Sequence, residues 1–596
     1  MTVTSLRRYQ RQYAHGRHSN SQLLTLLEPP RLTSFVLPSS SRFPTTTVLS
    51  YSITTHRRIL AIMSDSTAAP SAAAAAATDL STTLSSTTLS SQPDTTPTLS
   101  HRGAAGSSSF DLPAGLKRML SNQYDPDTNP HGIINAGIAD NSLCRNELLS
   151  YFLSHDRLQL SPADLTYADR FTSSTRLLES ISCLFNHYTP DWPEGNASPL
   201  PLKKVTPSHI AIASGATGIL DELFWNICDQ GDGVLLSTPY YNAFDNDLTN
   251  RAKAKIIPVD LPYPSPGKSL EHTMFSSSTI SAYQTAYDNA LASGTPIKAL
   301  LLCNPHNPTG TIYPRTTVIE LARFAAKYKL HFVSDEIYAR SRFSTQDHVN
   351  PELFHSILSI DTEKECGLDP KYVHVVTSAS KDFAVNGFRL GVLVSQHNPA
   401  LQKAMASVGL LSQSASPAAS LWATWLKDEK FLGWYLKENR RRLGRAYNHA
   451  AKFFQHYQIP YYPSNSGFFM LIDLSAFAKV AGAADGVPDA EGGEEVDSKG
   501  EDRLVEKLLD AGVFVAPGGL YHVNRPGWFR FTFSVQPKTL KLALRRMEKA
   551  LGVQDAESWE DSRPEFELEV AGEAVQTYAK IQGERRKSWI SKLVSG

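Results

Sequence analysis

The sequence has little cysteine and no excess of either charge. Lys+Arg and Asp+Glu both total 58 in 596 residues, so nothing in the composition attracts the chain to nucleic acid or to an anionic membrane. The few cysteines are scattered without paired spacing, which argues against a disulfide framework and against a zinc site. They are Cys144, Cys183, Cys228, Cys303 and Cys366. We therefore expect reduced, mostly buried thiols, no bound metal and a small molecule as the substrate.

Long apolar runs are also missing from the N-terminal region. The longest one there, the alanines at 72–77, is far too short to cross a bilayer, so we expect a soluble protein without a membrane partner. Residues 1–62 are rich in Arg, Ser and Thr and contain one acidic residue, Glu28, which is the composition of a mitochondrial transit peptide. Alternatively, translation begins at Met63. We predict a cytoplasmic location, with the mitochondrion as the alternative.

The chain is longer than one ordinary domain, and its composition changes along its length. Residues 64–109 contain almost no large apolar side chains and cannot offset the entropy lost on ordering. The predicted parts are a disordered extension (1–108), an N-terminal arm with part of a small domain (109–205), a large domain (206–440), the rest of the small domain (441–552) and a charged tail (553–596). A Gly-rich, acidic stretch at 481–502 is predicted to be a surface insertion in the small domain.

Apolar strands alternate with amphipathic helices from about Thr206 onward. The first four segments read IAIASG, TGILDELFWNI, GVLLSTPYY and KAKIIPVDL, and later strands read KALLLCNP, HFVSD and YVHVVTSAS. Between two of these strands, the spacing predicts a helix from Thr316 to Leu330 with one apolar face. That face carries Val318, Leu321, Ala322 and Ala325. The alternation predicts a parallel sheet wrapped by helices.

Polar groups follow four of these predicted strands. Ser214 and Gly215 follow IAIA, while Asn307, Asp335 and Lys381 follow the three later strands. Ligands of an open parallel sheet bind at the carboxyl ends of its strands. Each group alone has a simpler explanation, since NPHNPTG could be only a turn, DEIY an exposed helix start, and the lysine a solvated side chain. The combination in this order indicates a ligand site.

Several of these strings together carry a family resemblance. NPHNPTG, DEIY, SASKDF and GFRLG resemble class I/II aminotransferases, which depend on pyridoxal 5'-phosphate, and the similarity extends from about Gly115 to Leu551. NPHGIINAGIADNSL, TPYYNAFDND and PGWFRFTF resemble the 1-aminocyclopropane-1-carboxylate synthase branch, including its fungal synthase-like members. The resemblance implies the α/β aspartate-aminotransferase fold (fold type I), with a large, mostly parallel-sheet domain and a smaller α+β domain. It also implies a homodimer with shared active sites.

The resemblance assigns the chemistry of the cofactor ring to four residues. Lys381 would form a Schiff base with the cofactor aldehyde and, once displaced by the substrate, move the substrate's α-proton. Asp335 matches the carboxylate that faces the pyridine nitrogen and favours the protonated ring. Asn307 and Tyr338 match the groups that hydrogen-bond the ring's phenolic oxygen.

The resemblance also assigns the phosphate, the ring face and the substrate. Its phosphate contacts are Ser378, Arg389, and Gly215, Ala216 and Thr217 at a helix start, where free N–H groups favour an anion. Tyr241 corresponds to the aromatic residue that stacks on the ring, with Tyr240 as the nearby alternative. Tyr167 corresponds to the residue that reaches the partner subunit's cofactor phosphate. Arg530 matches the arginine that binds the substrate α-carboxylate, which makes the substrate an amino acid. Asp140 and Asn307 are the other predicted substrate contacts.

Two departures from the family pattern leave the reaction open. Asp140 stands where plant synthases carry Glu, which weakens the case for S-adenosylmethionine as the substrate. The segment YADRFTSS after Tyr167 lacks the glycines that relatives have, so its loop loses positive-φ options. The leading hypothesis is an amino-acid aminotransferase. The alternatives are an aminocyclopropane-carboxylate synthase-like or C–S β-lyase of secondary metabolism, by analogy with fungal relatives, and a non-catalytic binding or regulatory protein.

Overall fold

The computed structural model describes residues 112–553 except 155–159, 168, 170–171, 196, 262–276 and 483–497, together with 99–100, 102–103, 107 and 559. The predicted transit peptide, nearly all of the disordered extension and the charged tail lie outside the described residues. Most of the predicted insertion at 481–502 also lies outside them, and its last residues, from Ser498, begin a helix. The other boundaries between the predicted parts stay predictions.

The described residues form helices and strands in alternation. The helices are α1 Ala114–Ser121, α2 Arg145–Leu153, α3 Thr175–His187, α4 Gly215–Ile227, α5 Phe244–Thr249, α6 Ser277–Ala292, α7 Arg315–Tyr328, α8 Pro399–Val408, α9 Ser416–Lys427, α10 Glu429–His456, α11 Ser475–Gly482, α12 Ser498–Asp510 and α13 Pro537–Leu551. The strands are β1 Ile134–Asn135, β2 Ile210–Ser214, β3 Gly233–Thr238, β4 Lys255–Asp260, β5 Ile297–Cys303, β6 His331–Asp335, β7 Val373–Ser378, β8 Leu390–Val394, β9 Phe469–Asp473, β10 Val513–Phe514, β11 Ala516–Pro517 and β12 Trp528–Thr532.

Seven strands form the main sheet, in the order β2-β8-β7-β6-β5-β3-β4. All the strands expected from the alternation are present, but β8 is an addition, and it runs antiparallel to both β2 and β7. The expectation of a parallel sheet was therefore wrong at this one strand. Only residues 379–389 connect β7 to β8, whereas a parallel crossover needs a dozen or more residues. The short connection forces the chain to return antiparallel.

Helices cover both faces of the main sheet. Neighbouring residues of β5 point to opposite sides, so that Leu300 packs in one buried cluster with Leu321 of α7 and Leu301 packs in another with Phe224 of α4. This burial explains the nearly continuous apolar strands. Helix α7 occupies the predicted span within two residues at each end, and the four predicted face residues are buried. The five cysteines are free thiols, and four of them are buried.

A second, smaller antiparallel sheet has the order β11-β12-β9. It packs with α10 and α13 around buried side chains such as Phe454, Phe531 and Leu544. Helix α10 runs through the predicted boundary at residue 440 without a break. The short β1 pairs in parallel with β10, so that the N-terminal arm joins the C-terminal part of the chain. Among the described residues, no helix is long and apolar enough to cross a membrane.

Candidate active site

Lys381 lies just after β7 at the carboxyl edge of the main sheet. Its Nζ donates a hydrogen bond of 2.5 Å to the carbonyl oxygen of Ala139, which precedes Asp140 in the N-terminal arm. The pKa of Lys381 is lowered to about 8, first by burial and then by the positive charge of Arg530. A larger fraction of this amine is therefore neutral near physiological pH than for an ordinary lysine, and the neutral amine is the nucleophilic form.

Asp335 is the last residue of β6, beside β7. Its side chain is buried, and its Oδ1 accepts a hydrogen bond of 3.2 Å from the backbone N–H of Ile337. Burial raises the pKa of Asp335 to about 7, while that backbone hydrogen bond and the charge of Lys381 act in the opposite direction. A buried carboxylate of this kind favours a cationic partner, such as a protonated ring nitrogen.

Arg530 of β12 is 2% exposed and lies between the two sheets. Its Nη1 donates to Oδ1 of Asn307 at 2.9 Å, and its Nη2 donates to the carbonyl oxygen of Gly137 at 2.6 Å. The guanidinium carbon lies 4.6 Å from the ring centre of Phe469 and 4.2 Å from that of Tyr521. Among the described residues, Arg530 forms no ion pair and its Nε has no hydrogen-bond partner. A buried guanidinium without a carboxylate partner fits a site for an anionic ligand.

The start of α4 packs closely against Arg389. Gly215 has a φ of +74°, and its N–H donates to the carbonyl oxygen of Arg389 at 3.1 Å. A Cβ on Gly215 would lie 2.3 Å from Nη2 of Arg389, so a side chain at this position would displace the guanidinium. Ser378 is buried at the end of β7, where its Oγ accepts a hydrogen bond of 3.0 Å from the N–H of Ser380. A helix start, a guanidinium and a hydroxyl group are the donors that a phosphate needs.

Thr217, in the first turn of α4, lies beside the side chain of Asp247 of α5. Burial raises the pKa of Asp247 to about 7, and the nearby charge of Asp335 raises it further. Asp247 is not among the residues predicted from the sequence, although it ends the string TPYYNAFDND. Its position in that string was the only available signal.

The side chains of Tyr240 and Tyr241 have different neighbours. The hydroxyl of Tyr240 donates to Oδ1 of Asp245 at 2.8 Å. Tyr241 packs edge to face on Phe244, with ring centres 5.5 Å apart. Burial raises the pKa of Tyr241 to about 12, with smaller effects from charged groups that include Arg530 and Asp335. Tyr241, and not the alternative Tyr240, therefore lies with the other site residues.

Tyr338 also belongs to this cluster, packed edge to face on Phe468 and Phe469 with ring centres 5.3 and 5.5 Å away. Asp140 lies at the edge of the site, where it accepts hydrogen bonds from Arg145 Nη2 at 2.5 Å and from Asn386 Nδ2 at 3.3 Å. The remaining predicted residue, Tyr167, is 73% exposed on a separate segment. The structure thus brings together the predicted residues except Tyr167, whose predicted role is at the site of a partner subunit.

Comparisons with known proteins identify the family of this chain. The sequence model of the aminotransferase class I and II family matches residues 197–547. The chain is 33% identical to the probable aminotransferase aclI of Aspergillus oryzae over 458 residues, which cover 76% of this chain and 98% of that protein. It is 31% identical to 1-aminocyclopropane-1-carboxylate synthase 6 of Oryza sativa subsp. japonica over 453 residues, covering 74% and 76% of the two chains.

A solved structure also has the same fold. Aspartate aminotransferase from Thermus thermophilus, with maleate, superposes with a TM-score of 0.54 at 20% identity, covering 76% of this chain and all of that one. The chain therefore has the predicted aspartate-aminotransferase-like α/β fold. It belongs to the class I and II aminotransferase family, whose members are pyridoxal-phosphate-dependent enzymes.

Proposed function

We propose that this chain binds pyridoxal 5'-phosphate and acts in amino-acid metabolism as an aminotransferase. The observation that carries the proposal is the position of Lys381, whose amine has a lowered pKa of about 8 and lies near both Asp335 and Arg530. The residues fit the cofactor because they offer an amine for its aldehyde, a buried carboxylate for its ring nitrogen and an anion cradle at Gly215 and Arg389 for its phosphate.

Some of these side chains would contact the cofactor, and others would contact the substrate. When bound, the cofactor would withdraw electrons from the substrate's α-carbon and so acidify its proton. Arg530 would hold the substrate carboxylate, and Tyr241 would pack on the ring face. Lys381, once displaced from the cofactor, would take the α-proton at its Nζ. Asn307 and Tyr338 would hydrogen-bond the ring oxygen and fix the ring's tilt.

A lyase is the second candidate function. The 31% identity to a rice protein named as a 1-aminocyclopropane-1-carboxylate synthase favours it. A non-catalytic role is the third candidate, since a mouse relative, 29% identical over 451 residues, is named a probable inactive synthase-like protein. This chain retains Lys381 and Asp335, which a protein without catalytic function would be expected to lose first.

A single-turnover experiment separates these functions. Purified protein started at Met63 is mixed with a panel of amino acids and no oxo acid, while the chemical form of the cofactor is followed. Stoichiometric conversion to pyridoxamine phosphate would establish an aminotransferase. Ammonia, thiol or aminocyclopropane carboxylate accumulating over many turnovers would establish a lyase. Purification with added pyridoxal phosphate that yields no cofactor absorbance would support the non-catalytic role.

We also propose a homodimer with shared active sites. Three large side chains are strongly exposed in the single chain, namely Leu165 (78%), Tyr167 (73%) and Leu411 (85%). The two segments that carry them are adjacent, because Ser416 Oγ donates to the carbonyl oxygen of Thr166 at 3.3 Å. Large exposed side chains on neighbouring segments are typical of a protein interface.

Mixing two inactive variants tests the shared sites. Tyr167→Ala and Lys381→Ala proteins are each assayed alone and then after joint refolding or exchange. If Tyr167 serves the partner's site, mixed dimers contain one intact site, and roughly a quarter of wild-type activity returns. Activity that stays at the level of the separate variants, or a monomer in light scattering, would contradict the proposal.

A cytoplasmic location is proposed from the composition after Met63, and fluorescent fusions started at Met1 and at Met63 test it.

A further inference from the structure

Three side chains beside the cofactor residues form a compact hydrogen-bonded group. The carboxylate of Asp245 accepts from the hydroxyl of Tyr240 at its Oδ1 and from Nε2 of His522 at its Oδ2, both at 2.8 Å. A carboxylate only accepts, so Nε2 of His522 carries a hydrogen. The rings of Tyr240 and His522 also stack, with centres 4.1 Å apart and planes 23° from parallel. We call these three residues the clasp.

The clasp joins segments that belong to different sheets. Tyr240 and Asp245 follow β3 of the main sheet, whereas His522 ends the helical turn Gly518–Tyr521 between β11 and β12 of the small sheet. A backbone hydrogen bond of 2.9 Å from Tyr240 N to the carbonyl oxygen of Tyr521 runs beside it. His522 has a φ of +59°, an uncommon conformation for a residue with a side chain, which the stacking and the hydrogen bond hold in place.

The immediate chain neighbours of the clasp are site residues. Tyr521 precedes His522, and its ring lies 4.2 Å from the guanidinium carbon of Arg530. Tyr241 follows Tyr240 and lies with the cofactor residues. A ring on a guanidinium face restricts the rotation of the guanidinium group and excludes water from it. The orientation of Arg530 therefore depends on where the turn Gly518–Tyr521 is held.

We propose that the clasp positions Tyr521 on Arg530 and thereby sets the affinity of the site for the substrate carboxylate. His522 is a positioning residue in this arrangement, and it does not touch the reacting atoms. The inference rests on the proposed function, because it takes Arg530 as the carboxylate-binding residue. It predicts that loss of the clasp weakens carboxylate recognition while cofactor binding stays intact.

Two carbonyl reagents test this on the cofactor-loaded protein. Aminooxyacetate carries a carboxylate and hydroxylamine does not, yet both condense with the cofactor's aldehyde carbon to give an oxime, releasing the Lys381 amine. For His522→Ala, we expect the apparent affinity for aminooxyacetate to fall about tenfold, because a partly exposed charge-assisted hydrogen bond and its stacking are lost. The reaction with hydroxylamine should be unchanged. Absorbance of the bound cofactor follows both reactions.

Further variants separate positioning from folding. His522→Gln keeps a donor for Asp245 and should recover part of the aminooxyacetate affinity, and Tyr240→Phe should show a smaller loss because it keeps the ring stack. Asp369→Ala, which removes a surface ion pair with Lys371, is the matched control and should behave like wild type. In His522→Ala, an equal loss of apparent affinity for both reagents, or no loss for either reagent, would overturn the inference. Wild-type protein without cofactor absorbance would overturn the proposed function together with it.

Discussion

Replacing Arg530 with lysine tests the proposed carboxylate site most directly. Lysine keeps the positive charge but loses the planar fork that can bind both carboxylate oxygens. Arg530 already uses Nη1 and Nη2 to contact Asn307 and Gly137, and its face is held between the rings of Phe469 and Tyr521. An ammonium group reproduces neither the fork nor this stacking.

The expected magnitude follows from the hydrogen bonds lost. A hydrogen bond to a charged group contributes about 1.5–3 kcal/mol, and Arg530→Lys should lose at least one such bond to the substrate. We expect kcat/KM for the amino acid to fall roughly 10- to 150-fold, since about 1.4 kcal/mol corresponds to a factor of ten. The cofactor absorbance should stay as in wild type, because none of the predicted cofactor-binding residues is replaced.

Steady-state kinetics with a matched control decides the outcome. Arg546 is also hydrogen-bonded through its guanidinium, in its case to three backbone carbonyls, and it lies over a ring, that of Tyr124, but it is outside the site. Arg546→Lys should therefore leave kcat/KM near the wild-type value. An Arg530→Lys protein that retains its cofactor and full kcat/KM would refute the assignment of Arg530 as the carboxylate anchor.

Three further predictions concern the cofactor. The rate at which the cofactor-free protein takes up pyridoxal phosphate should rise with pH through about 8, the lowered pKa of Lys381, because only the neutral amine attacks. Stopped-flow absorbance measures this rate. A rate that rises only near the pKa of an ordinary lysine would contradict the prediction. Asp335→Asn should lower kcat by at least about 100-fold, because an amide cannot balance a protonated ring nitrogen, and single-turnover rates measure it. Gly215→Ala should raise the cofactor Kd by about tenfold or more through its clash with Arg389, whereas Gly231→Ala, also at positive φ but in open space, should leave the Kd unchanged.

The sequence predicts the strands and the polar residues at their ends because both depend on local pattern. Asn307, Asp335 and Lys381 each follow an apolar run, and parallel strands bring such ends to one edge. Strand β8 was not predicted, because its first residues belong to the string GFRLG, which was interpreted only as a cofactor motif. Its direction depends on the short connection from β7, which periodicity does not report.

Contacts between distant segments could not be predicted in the same way. Thr217 and Asp247 are thirty positions apart, and their side chains lie beside each other only after α4 and α5 have packed. The choice between Tyr240 and Tyr241 has a related cause, since successive residues in an extended segment point to opposite sides and the sequence does not say which side faces the site. The clasp could not be predicted either, because it joins residues near 240 to residue 522.

The surroundings of Asp140 favour an aminotransferase over a synthase that acts on a sulfonium. Asp140 lies beside the carbonyl of Ala139 that accepts from Lys381, so its carboxylate is the acidic group at this edge of the site. Arg145 approaches it to 2.5 Å, and the guanidinium therefore already balances its charge. A sulfonium substrate would have to compete with Arg145 for this carboxylate, whereas an ordinary amino acid bound to Arg530 would not. We therefore expect Arg145→Ala to improve binding of S-adenosylmethionine, measured by calorimetry, and to leave kcat/KM for the preferred amino acid unchanged.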